Sequence, residues 1–286
     1  MRSFTGAAAA NEIPSQRAYF EKILPRVIGH RGAAKCAPEN TLAGLRKAKQ
    51  LECRWVEIDV RLTADDQLIL LHDERLERKT DGRGKAALLP LDRIRRYDAG
   101  SRFGDDYRGE RIPTLVEAIG VLGELGIGAN IELKAARGRV VETGAATAAL
   151  VSRMWPRNLP APLISSFLEE ALSASRAYDP SVAIGILFRT VPGNWRVRAE
   201  RLGCATIHAD HHRLHPALVA EIREAGYALL AYTVNDAARA RTLLSWGVTS
   251  VFSDVPHIIR AGAEGRREPA AAQLGPPGEL WQGAVR

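Results

Sequence analysis

The chain has 286 residues, 46% of them hydrophobic, with 40 Lys and Arg against 33 Asp and Glu and a formal net charge of +7. The basic residues are scattered among acidic ones, which argues against a nucleic-acid binder and for a surface that tolerates small anions. Three irregularly spaced cysteines form neither a zinc site nor a disulfide framework, and no run approaches the roughly 18 apolar residues of a membrane span, so a cytoplasmic protein without stable membrane insertion is expected.

Residues 1–25 hold an alanine patch, Ala7 to Ala10, broken at once by Asn11 and Glu12, so no signal core forms and the segment reads as an N-terminal extension. The first apolar run, 26–29, ends in Gly29-His30-Arg31-Gly32. A helical pattern over 41–50 puts Leu42, Leu45 and Ala48 on one face. The next run, 55–60, carries Glu57 and Asp59, and the run 68–71 ends in His72-Asp73. The turn-rich residues between these two runs are too few for a crossover helix, which predicts a hairpin. Residues 74–113 are charged and glycine-rich and read as an extended loop over one barrel mouth.

Beyond this loop, helical patterns at 115–125, 140–154, 169–178, 216–225 and 237–245 alternate with apolar runs at 129–133, 163–166, 182–188, 206–209, 228–234 and 250–253. That alternation is the mark of parallel βαβ units. Nine strand candidates suit a single-domain α/β fold, a TIM (β/α)₈ barrel over residues 26–260 with one added hairpin. The shift to Gly, Pro, Ala and Arg predicts a flexible tail over 261–286, with a lone Trp281.

In such a barrel, chemistry sits at the carboxyl ends of the strands, and polar residues end several of these runs. His30 and His72 are proton-exchanging groups near neutral pH. Taken alone, Glu57 and Asp59 resemble the solvated face of an ordinary strand. In a parallel barrel both faces are buried, so two inward carboxylates need a cation, and Glu132 on a neighbouring strand supplies a third oxygen. An all-oxygen set favours a divalent Mg²⁺ or Ca²⁺ over zinc. Arg31, followed by small residues, can offer its fork to a phosphoryl oxygen.

The ordered set His30-Arg31-Gly32, Pro38-Glu39-Asn40-Thr41, Glu57-x-Asp59, His72-Asp73, Ile112 to Leu115, Glu132-x-Lys134, Ser165-Ser166-Phe167, Thr233 to Asp236 and Ser253 to Pro256 resembles the glycerophosphodiester phosphodiesterase family. The resemblance implies hydrolysis of small-molecule glycerophosphodiesters to glycerol 3-phosphate and an alcohol. It implies metal binding by Glu57, Asp59 and Glu132, acid/base work by His30 and His72, and phosphate binding by Arg31 and Lys134. Glu39 and Asn40 would support the metal and substrate shell, with helix-start carboxylate as the other reading of Glu39. Tyr232 stands where relatives usually carry tryptophan, either stacking on substrate or plugging the mouth.

Two other functions fit the same barrel. A lysophospholipase D-type enzyme would need an apolar groove, which the charged 74–113 segment does not suggest, and a non-catalytic phosphodiester-binding barrel would not need two proton-transfer groups. The histidines in Ile207 to His212 read as loop histidines near the mouth. Oligomeric state, the alcohol on the substrate and the choice between Mg²⁺ and Ca²⁺ are left open by the sequence.

Overall fold

The computed structural model describes residues 7–263. Helix α1 (Ala7–Ile23) leads into β1 (Val27–Gly29), α2 (Leu42–Gln50), β2 (Trp55–Leu62) and β3 (Leu68–Leu70). After a short α3 (Leu91–Ile94) come α4 (Leu115–Leu125), β4 (Gly128–Leu133), α5 (Val140–Met154), β5 (Leu163–Ser166), α6 (Glu169–Tyr178) and β6 (Ala183–Phe188). The chain finishes with α7 (Trp195–Leu202), β7 (Thr206–Asp210), α8 (Pro216–Glu224), β8 (Ala228–Tyr232), α9 (Ala237–Ser245), β9 (Ser250–Ser253) and α10 (Pro256–Ala263).

Eight parallel strands close a ring, β1 pairing with both β2 and β9, while β3 runs antiparallel to β2 as an added hairpin arm. This is the expected TIM barrel. Along each strand, alternate residues face outward or inward. Outward Val56, Ile58 and Val60 pack against Leu45, Leu115 and Leu122 of the surrounding helices. The inward positions change character with height. At the floor lie Ile28, Trp55, Leu163, Leu230 and Phe252, and Phe20 and Leu24 belong to the same apolar cluster, so the end of α1 and the residue following it seal the barrel from below. Above that floor the lumen turns polar, with Glu57, Asp59, Asn130, Glu132, Ser165 and His208 all buried.

Four helices lie outside the expected set: α1, α3, α7 and α10. Segment 74–113 also departs from an open loop. It contains α3 and two 3₁₀ turns, Ala86–Leu88 and Asp105–Tyr107, and wraps its own apolar cluster of Leu76, Ala86, Ile94 and Ile112 under Ile69 and Leu71 of the hairpin. Tyr107 ties it to the turn after β1 by donating its hydroxyl to the Cys36 carbonyl at 3.2 Å. It is a packed insertion beside the mouth. The three cysteines are free. Of the flexible tail expected over 261–286, residues 261–263 instead close α10, and the rest, with Trp281, lies outside the described residues.

Candidate active site

His30 directly follows β1, and its N–H continues the β1–β9 ladder by donating to the Ser253 carbonyl at 2.8 Å. The ring Nδ1 meets Asp254 Oδ1 at 2.6 Å, while Nε2 lies 3.8 Å from Glu57 Oε2. Asp254 is itself fixed: Asn235 donates to its Oδ2 at 2.7 Å and accepts from its N–H at 2.9 Å. Burial would raise the Asp254 carboxyl, but the His30 and Asn235 hydrogen bonds hold it below the usual range. A carboxylate on Nδ1 places the proton there and leaves Nε2 free to exchange with a ligand.

The chain then turns sharply, Arg31 and Gly32 both taking left-handed backbone with φ of 52° and 89°. At Gly32 a Cβ would sit 2.8 Å from the Gly44 carbonyl of α2, so only glycine fits. The turn aims the Arg31 N–H at Glu57 Oε2, 3.0 Å away. Its guanidinium lies between Glu39 Oε1 at 2.9 Å and Asp59 Oδ2 at 3.0 Å. Asn40, also left-handed, donates to Asp59 Oδ2 at 2.8 Å and accepts the Asp59 N–H at 3.0 Å.

Period two along β2 points Glu57 and Asp59 inward, and the β2–β4 register sets Glu132 level with Asp59. Oxygens of the three residues fall within 4.8 Å of one another. Lys134 pairs with Glu132 and reaches Asp59 Oδ1 at 3.3 Å. Burial, reinforced by the charges of Asp59 and Glu132, pushes Glu57 well above the ordinary carboxylate range. Burial likewise raises Glu132, to about 7, against the pull of Lys134. Asp59 goes the other way, because Lys134 and Arg31 together outweigh the desolvation that would raise it. Glu57 Oε1 is buried without a hydrogen-bond partner. An orphaned carboxylate oxygen in an all-oxygen cluster fits a hard divalent cation, and this triad can hold one.

His72 follows β3, the hairpin arm paired with β2. Its carbonyl accepts two bonds from Arg61 at 3.1 and 2.7 Å, and its Nδ1 lies 2.8 Å from Asp73 Oδ1. Arg78 in turn pairs with Asp73 and, with His72, outweighs burial to bring that carboxyl down to about 2. Burial, helped by Arg31 and Lys134, lowers His72 itself, which favours the neutral ring. The mouth thus presents two imidazoles, each steadied at Nδ1 by a carboxylate, beside one acidic triad.

The model of the glycerophosphoryl diester phosphodiesterase family matches residues 30–258. The chain belongs to this family. It is 32% identical over 235 residues to the glycerophosphodiester phosphodiesterase of Caldanaerobacter subterraneus, covering 82% of this chain and 95% of that one. A solved phosphodiesterase from Oleispira antarctica, in complex with the product sn-glycerol-3-phosphate, shares 42% identity with a TM-score of 0.82, over 84% of this chain and 97% of that one. The glycerophosphodiester phosphodiesterase of Agrobacterium tumefaciens shares 27% identity with a TM-score of 0.71, over 83% of this chain and 100% of that one.

In this phosphodiesterase chain His30, Arg31, Glu39, Asn40, Glu57, Asp59, Glu132 and Lys134 lie within one network of contacts, with His72 just after β3 and Tyr232 at the end of β8. Glu39 does not serve α2 as a helix-start carboxylate: it pairs with Arg31 and, at 2.7 Å, with Lys79, while Thr41 caps α2. Tyr232 turns its hydroxyl into the Phe188 carbonyl at 2.8 Å and its ring edge-on to Phe167. The cluster in Ile207 to His212 is a correction. Its first histidine, His208, is no loop residue but wholly buried inside the barrel, its Nε2 on the Thr206 hydroxyl at 2.9 Å. Asp254, Asn235 and Arg61 carried no role in the sequence reading. Asp254 had a signal, being a carboxylate at the end of the last strand, where the same reasoning had selected Glu57 and Asp59.

Proposed function

We propose that this phosphodiesterase cleaves glycerophosphodiesters to glycerol 3-phosphate and an alcohol with His30 and His72 as its acid/base pair. The observation that carries this is the symmetry of the two rings, each anchored at Nδ1 on a carboxylate, with His30 Nε2 3.8 Å from an oxygen of the acidic triad. Glu57, Asp59 and Glu132 would hold Mg²⁺ or Ca²⁺, the hard cations that an all-oxygen donor set suits. Such a cation draws negative charge from the phosphoryl oxygens. Arg31 and Lys134 neutralise the remaining charge on the diester. One imidazole takes the proton of the attacking hydroxyl at its Nε2, and the other returns a proton to the departing alkoxide.

The product bound by the Oleispira relative supports glycerol 3-phosphate as one half of the cleaved diester. Three free cysteines, two of them buried, support a cytoplasmic setting. Among the described residues no helix is long and apolar enough to cross a membrane. The functional unit we assign is the barrel of residues 26–260 together with the helix that floors it. The test is release of glycerol 3-phosphate from glycerophosphocholine with each cation and with chelator, alongside His30→Ala and Glu57→Ala. Metal-dependent release, lost in both variants, is expected; cleavage of lysophosphatidylcholine alone would move the activity to the lipid-acting rival.

A further inference from the structure

A cleft opens beside His72, between the turn after β1 and the packed insertion, and its walls include Glu39, Arg78, Lys79, Arg102 and Phe103. Three of these five residues are cations. The single carboxylate is already engaged, Glu39 holding Arg31 at 2.9 Å and Lys79 at 2.7 Å. Arg78 is committed to Asp73. Arg102 differs from both, because no carboxylate among the described residues pairs with it. Its Nε donates to the Thr80 carbonyl. Thr80 is a rigid anchor: it is fully buried, its hydroxyl donating to the Leu76 carbonyl and accepting from the Gly82 N–H, both at 2.9 Å. The guanidinium is therefore tethered through Nε at the wall of the cleft, on an exposed side chain whose charge no carboxylate among the described residues balances.

We propose that this cleft receives the alcohol arm of the diester and selects arms that carry an anionic group, phosphate or carboxylate, with Arg102 as the residue that reads the charge. This rests on the phosphodiesterase reading above, in which His72 flanks the phosphorus. The glycerol arm is common to all these substrates and uncharged, so an unpaired cation offers it nothing specific. A quaternary ammonium arm would enter beside the Arg102 charge, which no carboxylate among the described residues balances, whereas Arg78 and Lys79 are paired with Asp73 and Glu39, and like charges brought together in an interface are strongly disfavoured. An anionic arm meets a fork geometry suited to two parallel hydrogen bonds.

The experiment compares kcat/KM of the full chain, with Mg²⁺ and separately with Ca²⁺, on glycerophosphoinositol 4-phosphate, N-acetylated glycerophosphoserine, glycerophosphoinositol and glycerophosphocholine. The first two separate phosphate from carboxylate as the preferred anion. The wild type is expected to favour one or both over the uncharged inositol arm, and the choline arm to be poorest. In Arg102→Ala the preference for the anionic over the uncharged arm should fall roughly tenfold, the size of a lost charge-assisted hydrogen bond. Arg102→Lys should restore part of it, and rising ionic strength should erode the wild-type preference. A choline arm that matches or exceeds the anionic arms, or an Arg102→Ala loss equal on all four substrates, overturns the subsite and leaves the phosphodiesterase reading standing. Failure to hydrolyse any of the four overturns both.

Discussion

Asn40 and Asp59 hold each other twice, the amide Nδ2 donating to Asp59 Oδ2 at 2.8 Å and the Asp59 N–H donating to the amide oxygen at 3.0 Å. The clasp fixes one carboxylate oxygen of Asp59, leaving Oδ1 toward Lys134 and the triad. A residue that orients a metal ligand typically contributes about 10–100-fold to affinity. Asn40→Gly should therefore weaken Mg²⁺ binding by calorimetric titration to that degree. Because Asn40 has φ of 56°, Asn40→Ala adds about 1–2 kcal/mol of backbone strain and should also melt earlier. Wild-type affinity in the glycine variant would show that the clasp does not serve the cation.

Asp254→Asn keeps the size of the side chain but removes the charge that fixes the His30 tautomer. The expected result is a fall in kcat of about 10²-fold or more with KM little changed, since general acid/base contributions lie in the range of about 10²–10⁴-fold. Steady-state kinetics across pH separates this from a binding defect, which would appear in KM.

His208 supplies a pH test away from the chemistry. Burial alone brings its pKa down to about 3. The unfolded chain takes up a proton as pH falls through the ordinary histidine value near 6.5, while the folded chain refuses it, so stability is full above that value and lost toward the lowered one. The loss approaches about 1.4 kcal/mol per pH unit within that window. His208→Gln should flatten this part of the acid limb in urea titrations between pH 7 and pH 4. An unchanged slope would mean the ring is protonated in the folded state.

The barrel floor can be tested by Phe20→Ala. Phe20 is fully buried, with its ring edge-on to Trp55 at 6.3 Å between centroids. Removing it should cost about 3–5 kcal/mol in chemical denaturation. Loss below about 1 kcal/mol would mean that α1 is not integral to the folded barrel.

Most strands were legible because each is a short apolar run buried on both faces, as in Ala183–Phe188. The hairpin followed from a connection too short to cross over. Helix α7 escaped because half of its sequence, Trp-Arg-Val-Arg-Ala-Glu-Arg-Leu, is charged, and it buries only Trp195, Ala199 and Leu202. Helix α10 escaped because it lies at the edge of a Gly- and Ala-rich stretch, where composition resembled a tail. In the site, the triad and both histidines could be read from strand ends. The partners that hold them could not, since Asn235 finds Asp254 across a loop and Arg61 finds the His72 carbonyl across a hairpin. The burial of His208 depends on the lumen being closed, which no local pattern reports.

The contact between His30 and Asp254 joins positions 224 residues apart, one just after the first strand and the other just after the last. A chain still being synthesised can carry both histidines and all three carboxylates of the triad and yet lack the carboxylate that meets the His30 ring. Competence for turnover then appears only when the final strand docks beside the first. Fragments ending short of that strand would be silent proteins instead of slow enzymes, and the onset of activity during refolding would serve as a clock for the closing of the ring.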